Sequence, residues 1–283
     1  MPVEALERLQ LKVLKAAVPL VMATGNYRDT TEQFPMTVTA VRSIAEPVRR
    51  ITFHAPEFGR FTASGPDEYF ALIFPARPGR QLVLPNADKV NVRTAVARIP
   101  EPQRPEMRWY TVRALRPDAG EIDVDIVVHG DGGPGSAWAL RAAPGDRVGF
   151  RAAGSCYRPT AAPNAHRLFV ADETAMPALY SVLESLGTDA SGVTALLELP
   201  GACYDTPLAA DVRPEVVVRG SAAPGSAALA RLAELELPRI GYAWACGESA
   251  LATGVRRQLV RRDLADRRSI MFSGYWKLGQ ARA

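Results

Sequence analysis

The chain is poor in lysine, histidine and cysteine. Lysine occurs only at Lys12, Lys15, Lys89 and Lys277, histidine at His54, His129 and His166, and cysteine at Cys156, Cys203 and Cys246. The cysteines form no CxxC pair, which argues against a zinc ribbon, an iron–sulfur cluster and a disulfide scaffold, and fits a reducing compartment. The histidines lie too far apart for an HExxH-like metal site. Long hydrophobic runs are lacking as well. The most apolar N-terminal stretch, 13–23, contains Lys15 and Pro19 and is too short to span a bilayer. It also lacks the basic-then-apolar layout of a secretory signal. The expectation is a cytoplasmic protein without membrane insertion.

What is present is globular. Hydrophobic residues make up 47% and charged residues 23% of 283 positions, a length that suits two domains of ordinary size. The 34 Lys plus Arg less the four lysines leave 30 arginines, with a net charge of +4. Arginine's planar fork suits phosphate and carboxylate. The arginines are dispersed rather than gathered in one patch, which disfavours nucleic acid as the partner and points to small anions.

Residues 1–33 read as a helical extension, with Val3, Leu6, Leu9, Val13 and Ala17 at helical spacing. From Met36 the period becomes two. Strands are expected at 36–41, 49–55, 69–75, 108–115, 121–130 and 147–152. Ile122, Val124, Ile126 and Val128 alternate with Asp123 and Asp125, which predicts one face in a core and one in water. With a helical piece at 136–142, residues 34–158 are expected to form an antiparallel Greek-key β-barrel. Past residue 165, apolar runs at 167–171, 193–199, 215–219, 242–246 and 269–275 alternate with amphipathic stretches. That is the pattern of a parallel-sheet α/β domain, 159–283. Ligands of such sheets bind at the carboxyl ends of the strands.

Five short constellations carry chemistry. Arg108-Trp109-Tyr110-Thr111-Val112-Arg113 places an aromatic ring, a small hydroxyl and cations on one strand. An isoalloxazine with its diphosphate requires those groups, although taken alone the stretch is an ordinary amphipathic strand. His129-Gly130-Asp131-Gly132-Gly133-Pro134-Gly135-Ser136-Ala137-Trp138 is a glycine-rich turn in which Ser136 could cap a helix whose N-terminus faces an anion. It is neither a GxGxxG fingerprint nor a P-loop. Asp172-Glu173-Thr174 and Gly247-Glu248-Ser249 follow strands where helices begin, and Gly274-Tyr275-Trp276-Lys277 closes the last strand.

In joint order and spacing these pieces resemble the siderophore-interacting proteins, flavin-dependent ferric-siderophore reductases of the ferredoxin-reductase superfamily. The resemblance runs from about Met36 to Gly279 and rests on RxYTxR at 108–113, His-Gly with Gly-Pro-x-Ser-x-Trp-Ala at 129–139, Asp-Glu-Thr-Ala-x-Pro-Ala at 172–178, Trp-x-x-Gly-Glu-Ser at 244–249 and Gly-Tyr-Trp at 274–276. It departs at Ala171, where a glycine is usual. It implies FAD in the barrel, with Tyr110 and Thr111 at the reacting ring and Arg108 at the diphosphate. Val128, His129, Gly130, Gly133, Ser136, Ala137 and Trp138 would line the rest of the cofactor. Asp172, Glu173, Thr174, Gly247 and Glu248 would surround the approach of NADPH or NADH. The implied partner is an anionic ferric siderophore, met by Lys277 and Arg257, on a monomeric protein with no resident metal ligand set. Arg219, at a strand end, could meet a 2′-phosphate or simply be solvated. Two other functions fit the same pattern: a flavoreductase for another acceptor (free flavin, a quinone, a ferredoxin) and a flavin-binding carrier or sensor that does not turn over.

Overall fold

The computed structural model describes residues 21–28, 31–87, 91–128, 133–159, 164–187, 191–204 and 206–280. The expected N-terminal helix therefore lies outside the described residues, as do His129 and Gly130.

The first sheet contains β1 (Asn26–Tyr27), β2 (Gln33–Ala45), β3 (Val48–His54), β4 (Tyr69–Pro75), β5 (Pro105–Thr111), β6 (Ala114–Arg116), β7 (Glu121–Val127) and β8 (Arg147–Ser155). Its order is β5-β4-β8-β2-β3-β7-β6, with β1 added to β8, and each pairing is antiparallel. The ladder ends at β5 and β6, while β5 leans against β7 across the gap, so the barrel is curled but not fully laddered. Aromatic rings fill it. Phe70 stacks on Phe150 with centroids 4.7 Å apart, and Phe34 stacks on the other side of Phe150 at 5.0 Å. Helix α1 (Val92–Ala97) packs outside the barrel on Met107 and Trp109, and α2 (Pro134–Arg141) plugs it through Trp138.

The alternation on β7 has a different outcome from the one expected. Asp123 and Asp125 are buried, 3% and 6% exposed, instead of facing water. Arginines cover them: Arg50 Nε lies 2.6 Å from Asp125 and Arg116 Nη1 2.8 Å from Asp123, while Thr52 Oγ1 donates to Asp123 at 2.7 Å. A period-two pattern shows which residues share a face but not what covers that face.

The second sheet is parallel, in the order β11-β10-β9-β12-β13, built from β9 (His166–Asp172), β10 (Val193–Leu199), β11 (Glu215–Val218), β12 (Ile240–Glu248) and β13 (Ile270–Trp276). Helix α3 (Met176–Ser185) covers the face turned to the barrel, and α4 (Ser226–Glu234) and α5 (Ser249–Arg261) cover the other. Wedged between sheet and barrel, α3 is buried along all of its first eight residues. The chain winds outward from β9 through β10 to β11, then returns to place β12 on the other side. The switch point thus lies between the ends of β9 and β12.

The two sheets meet over one shared core. Val48, Cys156 and Tyr157 from the barrel side join Phe169, Leu179, Tyr242, Trp244 and Cys246. Buried Asp67 pins the seam: Tyr157 N donates to it at 3.0 Å, Trp244 Nε1 at 3.2 Å, and Ser155 Oγ donates as well. Nearby, Arg113 grips Glu184 through both terminal nitrogens, at 2.7 and 2.5 Å. Among the described residues no helix is long and apolar enough to cross a membrane.

Candidate flavin and nucleotide site

On β5, Arg108 and Tyr110 share the face that pairs with Leu72 and Phe70, so both turn toward α2. The approach of strand and helix is close. A Cβ at Gly135 would collide with Tyr110 Oη and press on Arg108 Cγ, so glycine is the residue that lets α2 lie there. Helix α2 starts at Pro134 with Gly133 as N-cap, a residue with no side chain of its own to cap it. Ser136 lies inside the first turn, so it is not the cap the sequence suggests; proline occupies the first helical position and displaces that role. The first-turn amides and the positive end of the helix dipole therefore sit beside an arginine and a tyrosine hydroxyl, a setting for an anion. Burial pushes the Tyr110 hydroxyl up to about 12, so it stays protonated and can donate. Arg108 Nη1 meanwhile donates to Met107 O at 2.6 Å and to Glu106 at 3.2 Å. Val128 and Ala137 flank this corner through backbone bonds to Pro47 O and Gly133 O. Trp138 is a core ring, stacked near Phe53.

Thr111 ends the strand opposite Tyr69 and is 7% exposed. Tyr69 packs against the core cluster containing Cys246, with Tyr275 against the same cluster. Tyr69 thus packs the end of β5 against the core shared by the two sheets.

Asp172 organises that edge. It is fully buried and accepts five hydrogen bonds: Thr174 N (2.9 Å), Thr174 Oγ1 (2.6 Å), Ala175 N (3.2 Å), Glu248 N (2.7 Å) and Trp276 Nε1 (2.9 Å). Burial, reinforced by neighbouring Glu173, lifts its carboxyl to about 6 despite those donors. Gly247 has φ +136° and abuts the Asp172 carboxylate, where a Cβ would not fit. Glu248 caps α5, accepting from Ala250 N and Leu251 N, and also accepts from Leu278 N at 3.2 Å. Asp172 and Glu248 thus tie the ends of β9, β12 and β13 together and fix Trp276, with exposed Lys277 next along the chain.

The structure separates other expected groups. Glu173 is buried under Arg219, which holds it at 2.7 and 2.8 Å and reaches Glu198 at 3.5 Å. Arg219 is thus a paired arginine, 8% exposed at its side chain, and not a solvated strand end. Arg257 lies with Arg256, Val260, Arg261 and Arg267 around a cleft of about 370 Å³. It is eight residues from the start of α5, about 12 Å along the axis, near the amino end of β13, and not beside Lys277. Asp67, Tyr69 and Glu184 have no sequence signal. Asp67 sits in a Gly-Pro-Asp-Glu stretch that reads as turn chemistry, and its partner Trp244 is 177 positions away.

Residues 37–155 match the siderophore-interacting FAD-binding domain, and residues 164–279 match the siderophore-interacting protein model. The chain spans 57% of the ferric vibriobactin reductase of Vibrio cholerae, at 30% identity over 56% of its own length. It spans about half the length of the curated relatives it matches first. The NADPH-dependent ferric-chelate reductase of Escherichia coli is 31% identical over 85% of this chain and 91% of that protein. The crystal structure of a siderophore utilization protein from T. fusca superposes with a TM-score of 0.74 at 29% identity, covering 91% of this chain and 97% of that one. The chain belongs to the siderophore-interacting protein family.

Proposed function

We propose that the protein is a cytoplasmic, FAD-dependent reductase that takes electrons from NADPH or NADH and delivers them to a ferric siderophore, releasing iron as Fe(II). The observation that carries this reading is the N-terminus of α2 set directly against Tyr110 and Arg108, with Gly135 leaving no room for a side chain between them. The residues present suit FAD: amides and a guanidinium for a diphosphate, and a protonated phenol and a threonine at the strand end nearest the second domain.

Bound flavin converts a two-electron hydride donor into a one-electron reductant, which iron requires. The chain's own residues orient and exclude. Arg108 and the first turn of α2 would hold the diphosphate. Tyr110 keeps its proton and would face the flavin, with Thr111 beside it at the strand end. Gly247, held flush against the Asp172 carboxylate, brings the end of β12 close to β9 at the switch point where the nicotinamide ring would approach. Thr174 lies at the same edge, while Glu173 is buried behind it under Arg219. Trp276, fixed by Asp172, carries Lys277 at the rim, where an anionic ferric chelate meets a cation. Reduction then loosens the chelate, because hard oxygen donors favour the more highly charged ion.

FAD-loaded protein, a ferric siderophore and a ferrous chelator provide the test. The expected result is Fe(II) in a ratio of about two per nucleotide oxidised, since each hydride carries two electrons. Rapid nucleotide oxidation with another acceptor, and no Fe(II) from any of several ferric siderophores, overturns the assignment.

A further inference from the structure

A cleft of about 820 Å³ opens where the 76–84 loop passes the far end of α2 and the turn before β8. Four arginines line it: Arg77 and Arg80 from the loop, Arg141 from the last turn of α2, and Arg147 from the start of β8. Among the described residues none of the four has an acidic partner. Arg50, Arg113, Arg116 and Arg219 each hold one. The lining carboxylate, Asp146, accepts from Ala143 N at 3.0 Å. Leu82, Leu84 and Pro35 give the cleft an apolar wall.

Four like charges around one cleft repel each other, and a polyanion bound among them removes that repulsion. Guanidinium forks match phosphate oxygens in pairs, and an apolar wall suits a flat ring attached to the phosphates. The cleft lies at the opposite end of α2 from Gly133, and an eight-residue helix is about 12 Å long. It is thus separate from the helix N-terminus assigned to the flavin diphosphate.

We propose that this cleft binds a nucleoside di- or triphosphate, with its phosphates among Arg77, Arg80, Arg141 and Arg147 and its base against Leu82 and Leu84. Two of the arginines belong to the loop and two to the barrel body, so the ligand ties the loop down. The loop already has footholds for this: Leu84 fills the space left by the absent side chain of Gly149, and Gln33 Nε2 donates to Pro85 O at 2.9 Å.

Calorimetric titration of the FAD-loaded protein with ATP and with inorganic pyrophosphate tests the proposal. Both should bind saturably and more weakly as salt rises, with ATP the tighter because its base meets the apolar wall. The R77A/R80A and R141A/R147A variants should each bind at least about tenfold more weakly, with FAD content unchanged. Arg77 and Arg80 are exposed loop residues, so the first variant keeps the test valid if the second folds poorly. Three results overturn the proposal: no saturable binding, binding equal in wild type and R77A/R80A, or loss of FAD from R77A/R80A. The last would make the cleft part of the flavin site. Pyrophosphate binding as tightly as ATP overturns the nucleoside part.

Discussion

Gly135→Ala adds one methyl at the point where α2 meets β5. The new Cβ would collide with Tyr110 Oη and press on Arg108 Cγ. Alanine is the better helix former by about 0.8–1 kcal/mol, whereas overpacking by one methyl typically costs about 1–3 kcal/mol. The net loss of stability is therefore about 0–2 kcal/mol, and the variant should fold. The effect on the cofactor should be larger. If Tyr110 and Arg108 are pushed from the helix N-terminus, a charge-assisted contact worth about 1.5–3 kcal/mol is weakened, about 10- to 150-fold in FAD affinity. Apoprotein titrated with FAD gives the affinity, and a thermal melt gives the stability. Adding Tyr110→Phe removes the colliding oxygen, so G135A/Y110F should be more stable than the sum of the single changes predicts. Wild-type FAD affinity in Gly135→Ala, or strict additivity in the double variant, refutes the cradle.

Three further predictions come from other parts of the structure. The Asp172 carboxyl is raised to about 6 by burial, above its unfolded value of about 3.9. The folded protein therefore binds more protons than the unfolded chain between about pH 4 and 6. Stability from this group declines as pH rises through that window, so Asp172→Asn should flatten that part of the Tm-against-pH curve; a parallel curve contradicts it. Glu184→Ala removes the bidentate partner of Arg113 and leaves it Asp125 at 3.9 Å. Urea unfolding should show a loss of about 1–3 kcal/mol, and an unchanged midpoint would mean that the seam does not rely on this pair. Lys277→Glu should raise the KM for an anionic ferric chelate and leave anaerobic flavin reduction by the nucleotide unchanged; an unaltered KM removes Lys277 from the substrate's path.

Local pattern was legible wherever apolar runs end in turn chemistry. The strands 69–75 and 193–199 have the same limits in sequence pattern and in structure. Helix α1, six residues capped by the Asn91 side chain, is too short to display a helical period, and β1 is two residues paired to a strand more than a hundred positions away. The motif residues Arg108, Tyr110, Gly135, Asp172 and Gly247 do fall at the barrel corner and the switch point. What the pattern did not carry is pairing across distance. Asp123 and Asp125 look solvated until arginines from other strands cover them. Arg219 looks free until Glu173, 46 positions earlier, is seen beneath it. The Asp67–Trp244 bond that holds the seam joins two residues with no common motif. Those contacts depend on tertiary packing, which no local period encodes.

The most direct test of electron flow through this fold is an anaerobic spectral experiment on the FAD-loaded protein. NADPH or NADH should bleach the flavin absorbance, and adding a ferric siderophore should restore it as Fe(II) appears in a ferrous chelator. A flavin that neither nucleotide bleaches, or that stays bleached in the presence of several ferric siderophores, contradicts the account.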